Sequence, residues 1–311
     1  MSVSRRGRVA LGVPLVALCI SAAPSSAATP TWPRGEVIAY KCADSLCLTE
    51  PSTRVRRRLL ASTRPWPQWD PAFSPNGHQI AFRGYYQPGS DGAYALYVAP
   101  ISGCAAKRVT RGVAGDPSWS PDGGWIAYDT SGYGDIYKVR PNGTGLTELF
   151  AGRGVNEGWY PAWSPDGHWI AFVIDRRHGS EIWLMRPDGS DKHLLHTDTT
   201  AVDQSLAWSH DGRLLAFVRS PATDDGAIAV IRTDGTNVRT LTRAIPAWNP
   251  VWLPDDAGIA YLTATPLANG NLGIARVHEM RTDGTGGHIV AGPRTIQFAS
   301  TSGRLTVRAC R

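Results

Sequence analysis

The sequence has no apolar run long enough to cross a bilayer as a helix. The longest, Val9 to Ala23, covers about 15 residues where roughly 20 are needed. It has no Gly-x-Ser-x-Gly elbow and no phosphate-cradling Gly loop of the P-loop type, so two common routes to hydrolysis and nucleotide binding are missing. Cysteine is scarce, and Cys42, Cys47, Cys104 and Cys310 are neither spaced as a zinc ribbon nor flanked by a histidine pair. Excess charge is also small. The formal +6 includes Arg5, Arg6 and Arg8 of the N-terminal segment, and without them it is +3, which gives little reason to expect a nucleic-acid partner.

Those arginines, the apolar run and the small residues Ser25-Ser26-Ala27-Ala28 together make an export leader over residues 1–28. The expected mature chain, 29–311, is then one domain without a membrane span. It is placed outside the cytoplasm: extracellular, periplasmic or cell-wall associated. An even cysteine count in an exported chain points to two disulfides. Cys42 ends one expected strand and Cys47 opens the next, which suits a hairpin staple and leaves Cys104 with Cys310. A strand over 304–309 would instead bring Cys310 near Cys42, so the connectivity stays open.

What is present is a repeat. Pro161-Ala162-Trp163-Ser164-Pro165-Asp166-Gly167 leads into Trp169-Ile170-Ala171-Phe172. Ser-Pro-Asp-Gly between two β-prone runs reads as a hairpin turn, because Pro presets φ, Asp bonds nearby backbone and Gly accepts positive φ. The pattern recurs with Phe73, Trp119, Trp163, Trp208 and Trp252 in phase, at steps of 44 to 46 residues. Ile38-Ala39-Tyr40 forms a sixth unit that lacks the first half. A period near 45 in all-β sequence predicts propeller blades of about four strands each. The expectation is therefore an all-β, six-bladed propeller of four-stranded antiparallel blades. Its ring would be closed by strands from both termini, with Thr295–Ala299 as the missing inner strand of the first blade.

The repeated Trp-Ser-Pro-Asp-Gly, followed by Ile-Ala-Phe and then Pro-Asp-Gly, resembles the TolB-like β-propeller family over about residues 36–299. The resemblance implies an interaction scaffold, while related propellers also serve in peptidases and polysaccharide lyases. In TolB itself an α/β domain precedes the propeller and binds membrane partners, while the propeller binds a peptidoglycan-associated lipoprotein. Here the propeller is expected directly after the leader.

The residues just before the inner strands, Asp70, Asp116, Tyr160, Ser205 and Asn249, are expected around one mouth of the central channel. Trp66, Trp69, Glu157, Trp159, Asp203 and Trp248 come from nearby loops. Four carboxylates (Asp70, Asp116, Glu157 and Asp203) would give a negative opening, with aromatic faces around it for a sugar or peptide side chain. No catalytic residues and no cofactor are assigned; calcium is the one ion such carboxylates could bridge. His78, His168 and His210 read as turn residues. His193 and His196 are three apart on a strand, so they face opposite ways and do not share a metal. The basic run Arg54–Arg58 reads as a solvated turn. The expected function is a monomeric, non-catalytic scaffold for an envelope or extracellular protein, peptide or carbohydrate. A polysaccharide lyase or glycoside hydrolase is one alternative, and a sensor or accessory subunit of an envelope complex the other.

Overall fold

The structure, a computed structural model, describes residues 19–21, 37–42, 45–49, 56–58, 68–85, 94–102, 106–130, 132–152, 156–221, 226–242, 246–253, 255–266 and 272–291. Residues 19–58 form a four-stranded sheet of β1 (Cys19–Ser21), β2 (Val37–Cys42), β3 (Ser45–Thr49) and β4 (Arg56–Arg58). Five blades then carry the repeat. The first contains β5 (Gln68–Phe73), β6 (Gln79–Tyr85), β7 (Tyr94–Pro100) and β8 (Lys107–Arg108), and the second β9 (Gly115–Trp119), β10 (Ile126–Asp129), β11 (Ile136–Val139) and β12 (Thr147–Phe150). The third has β13 (Gly158–Trp163), β14 (Ile170–Asp175), β15 (Ser180–Met185) and β16 (His193–Asp198). The fourth has β17 (Ala201–Trp208), β18 (Leu214–Pro221), β19 (Ala227–Arg232) and β20 (Arg239–Thr240). The fifth has β21 (Ala247–Trp252), β22 (Gly258–Pro266), β23 (Leu272–Arg281) and β24 (His288–Ala291). Every blade is antiparallel, with its strands side by side in chain order.

The six-bladed ring closed by both termini is thus corrected to five repeat-built blades over Gln68–Ala291. The sheet of residues 19–58 lacks the repeat hairpin, although its Ala39, Leu46 and Leu48 pack on Ile80, Phe82 and Ala99 of the first repeat blade. Its first strand comes from the segment read as a leader, in the place expected for Thr295–Ala299. The reason is local: Ile38-Ala39-Tyr40 has no Ser-Pro-Asp-Gly turn to hold a first strand against it. Residues 292–311, with the extra strand expected at 304–309, lie outside the described residues. Within the basic run, Arg56–Arg58 form the edge strand β4 rather than a turn. Of the cysteines in the expected disulfides, Cys47 is buried in β3. Cys104, Cys310 and the side chain of Cys42 lie outside the described residues.

Within a blade, the turn serine organises the first hairpin. The hydroxyl of Ser164 accepts the N–H of Trp169 at 2.9 Å and donates to Asp166 Oδ1 at 2.6 Å. Asp166 Oδ1 in turn accepts the N–H of His168 at 3.0 Å. Ser74, Ser120 and Ser209 repeat the arrangement with Asn76, Asp122 and Asp211. Gly167 has φ +74°, which an L side chain rarely adopts. The fifth blade has Asp256 at the equivalent position, also at positive φ, and uses its carboxylate elsewhere. Asp256 accepts the backbone N–H groups of His210 and Asp211, each at 2.8 Å. His210 stands where the other turns have Pro, so only here does that position offer an N–H to the neighbouring blade.

The core lies between blades, and the Ile-Ala-aromatic pattern follows from strand alternation. Ile170, Phe172 and Ile174 pack on the second blade, while Ala171 and Val173 pack on the fourth. The small residue faces the next blade because that blade's Trp fills the space. Ala81 shares a cluster with Trp119, Ala127 with Trp163, Ala171 with Trp208 and Ala216 with Trp252. Three of the indoles also donate across the gap to the preceding inner strand. Trp119 Nε1 reaches the carbonyl of Ala72 at 3.0 Å, Trp208 that of Ala162 at 2.9 Å, and Trp252 that of Ala207 at 2.9 Å. Trp163 differs: its backbone N–H donates to Ser118 Oγ at 2.9 Å, and its indole turns to the carbonyl of Gly167.

Two substitutions separate the packing from the hydrogen bond. Trp252→Ala is expected to lose about 3–5 kcal/mol, as buried aromatics do. Trp252→Phe keeps most of the packing but strands the Ala207 carbonyl, for a loss of about 1–3 kcal/mol. Denaturant unfolding of the full chain measures both. Equal losses would mean that the hydrogen bond, not the ring, supplies the stability.

Candidate functional site

The five inner strands β5, β9, β13, β17 and β21 line a channel of about 360 Å³. Each carries a β-bulge at one level, where two residues oppose one. The opposed residue is the aromatic of the Ile/Leu-Ala-aromatic pattern: Phe82, Tyr128, Phe172, Phe217 or Tyr261. The first residue of each bulge has positive φ: Asp70 (53°), Asp116 (22°), Tyr160 (54°), Ser205 (52°) and Asn249 (50°). Such angles are uncommon outside glycine, and for a residue as bulky as tyrosine they mark a backbone held by its surroundings. All five residues line the channel.

The other expected residues are placed differently. Glu157 lies beside Gly134, and its carbonyl accepts the N–H of Asp175 at 3.1 Å. Trp248 packs on the core between the fourth and fifth blades. Trp159 holds its indole nitrogen buried. None of these three, nor Asp203, lines the channel. Trp66 and the side chain of Trp69 lie outside the described residues.

The acidic chemistry gathers on the first, second and third blades. Asp70 is buried and pairs with Arg83, Nε to Oδ2 at 3.0 Å. Asp129, also buried, accepts the N–H of Tyr160 at 3.0 Å. Asp116 lies near enough for the two carboxyls to perturb each other's ionisation. Burial raises Asp116 well above the usual carboxylate range, reinforced by Asp70 and Asp129 and opposed by Arg83. Burial also pushes Asp129 up to about 7, with Asp70 adding to the rise while the Tyr160 N–H, Arg83 and Asp116 oppose it. The Tyr160 hydroxyl is raised by burial and by Asp116, Asp129, Asp175 and Asp70. Arg83 stays charged: burial disfavours its cation, but Asp70, Asp116, Asp129 and the nearby Tyr94 outweigh that. With one guanidinium among three aspartates, and Asp116 held well above the usual carboxylate range, the wall is mildly acidic. It offers both donors and acceptors.

Sequence reasoning placed Asp70 and Asp116 but missed Asp129 and Arg83. Both are legible once the second strand is aligned on the first, because Arg83 is registered opposite Trp69 and Asp129 opposite Gly115. Asp203 belongs to a second cluster, with Asp198 and His196. Burial and Asp198 push Asp203 up to about 7, against the nearby Ser180 hydroxyl and Arg219. His193 faces elsewhere, edge-on to Trp169. Among the described residues no helix is long and apolar enough to cross a membrane.

A family model described as the TolB beta propeller domain matches residues 71–284. An uncharacterised protein of Agrobacterium fabrum is 30% identical over 215 residues, which cover 64% of this chain and 70% of that protein. Putative TolB from Agrobacterium tumefaciens superposes with a TM-score of 0.65 at 22% identity, over 80% of this chain and 88% of its own. TolB from Acinetobacter baumannii gives 0.63 at 20% identity over 86% of this chain, which spans only 61% of that protein's length.

The acid cluster makes stability depend on pH. Asp129 titrates near 7 when folded against 3.8 when unfolded, so the folded protein keeps a proton that the unfolded chain releases. Its contribution is complete below about pH 4 and is lost as pH rises through about 7. Asp129→Asn, which keeps an acceptor for Tyr160, is expected to flatten the fall in unfolding free energy between about pH 5 and 8. Denaturant titrations across that range test this; an unchanged slope would contradict it.

Proposed function

Because this chain belongs to the TolB beta propeller domain family, we propose that it is an exported binding scaffold that takes an extended peptide segment of a protein partner at its channel mouth. The observation that carries this reading is the ring of five bulges, which turns Asp70, Asp116, Tyr160, Ser205 and Asn249 toward one opening. Five strained positions at one level present polar groups from five separate blades to whatever enters. A peptide offers backbone donors and acceptors at short intervals, which suits a wall that contains both. The single Arg83 against three acids favours a segment with one positive side chain. Export through the leader 1–28 and two disulfides belong to the same reading, and place the partner in the envelope or outside the cell.

A glycosidase is the weaker reading. Those enzymes keep their two carboxyls about 5–9.5 Å apart to flank the scissile bond or a water. Here Asp70 is tied to Arg83 and Asp129 to the Tyr160 N–H, an arrangement that anchors carboxyls to the wall.

The test is selection of peptides from a random displayed library on the full chain, with a glycan array as the parallel arm. Selected peptides are expected to lose at least tenfold in affinity for Asp116→Asn and for Asn249→Gly, the latter because glycine keeps the positive φ. Both variants should melt near the wild type. Peptides indifferent to both substitutions, or binding confined to glycans, would overturn the proposal.

A further inference from the structure

We propose that His196, Asp198 and Asp203 form a binding site for a divalent transition-metal ion of the zinc class, at the junction of the third and fourth repeat blades and outside the channel. His196 and Asp198 are two apart on β16, which puts them on one side of that strand. The chain then turns and returns as β17, which brings Asp203 against them. One ligand atom from each residue lies within 4.8 Å of the other two. A tetrahedral ion with bonds of about 2.1 Å would set its ligands roughly 3.4 Å apart, so a small side-chain adjustment closes the set.

A second observation points to a missing cation. Asp203 is wholly buried, and neither of its carboxylate oxygens has a hydrogen-bond partner. The Ser180 hydroxyl lies nearby and favours the ionised carboxylate, but it is also 3.5 Å from the carbonyl of Ala201. His196 Nε2 is likewise buried and unpartnered. Asp198 is held beside this space with both oxygens engaged. Its Oδ1 is occupied by the N–H groups of Thr200 and Ala201 and by the Thr200 hydroxyl, at 2.8, 3.0 and 2.8 Å. Its Oδ2 faces Arg219 Nε at 2.5 Å. Arg219 therefore answers one of the two carboxylates, and its side chain is a third exposed. A buried carboxylate whose nearest guanidinium is already paired with another acid is costly, and a bound ion removes that cost.

The donor set selects the ion. One imidazole nitrogen and two carboxylates are all zinc donors, and three protein ligands leave a fourth position of a tetrahedral ion open. Calcium, which takes six to eight oxygens, is disfavoured. The Ser180 hydroxyl accepts the Asp203 N–H at 2.7 Å and fixes the strand from which the ligand projects.

The test is calorimetric titration of Zn²⁺ into the chelator-treated full chain, with Co²⁺ as a spectroscopic stand-in. One equivalent is expected to bind, and cobalt should give visible d–d bands. Asp203→Asn and His196→Gln should each weaken binding at least tenfold and abolish the bands, whereas His193→Gln should leave both unchanged. If Asp203→Asn fails to fold, His196→Gln, at a partly exposed position, decides the question. Absence of stoichiometric zinc, or zinc retained by the ligand variants, would overturn the site.

Discussion

The structure depends on one contact made at each junction between repeat blades, the tryptophan of a blade set against the alanine of the blade before it. The alanine has to be small because the indole fills the gap, and it has to lie between two large residues because strand alternation sends those to the other neighbour. Where the indole also donates to the preceding inner strand, packing and hydrogen bonding fix the same distance between blades. A sheet that buried only its own residues would have no such requirement. These blades have little core of their own, and each is completed by its neighbour.

That lock also determines the channel. The Trp side chain and the bulged residue lie on the same inner strand, three residues apart, as Tyr160 and Trp163 do. Holding the Trp therefore holds the level of the bulge. Five bulges at one level follow from the repetition of that lock. The acidic character does not repeat: only two of the five bulge positions carry aspartate, and Asp129 and Arg83 come from second strands. The scaffold is repetitive while the site is particular, as expected when function is grafted onto a repeated frame.

Much of this was legible in the sequence. The phase of Phe73, Trp119, Trp163, Trp208 and Trp252 marked the blades, and the residues before them marked the channel ring. Hairpin register was not legible. A two-against-one bulge shifts the pairing, so the residues brought beside Asp70 and Asp116 depend on an irregularity that strand periodicity does not reveal. Asp203 shows the same limit. Loop spacing alone suggested the channel, whereas the residue belongs to β17, which buries its carboxylate beside Asp198. The exchange between His210 and Asp256 was visible only as two separate departures, a turn without its proline and a turn without its glycine. Each makes sense through the other. The first sheet was misread because Ile38-Ala39-Tyr40 carries the second-strand pattern without the turn that would define its partner.

Native-state hydrogen exchange tests the central claim most directly. If neighbouring blades complete one another, inner-strand amides of β9, β13, β17 and β21 should exchange through one common opening, at a single free energy close to that of global unfolding. The sheet of residues 19–58, which lacks the repeat hairpin, should open at a lower free energy. A graded series, in which each blade opens independently as in an open repeat array, would contradict the account.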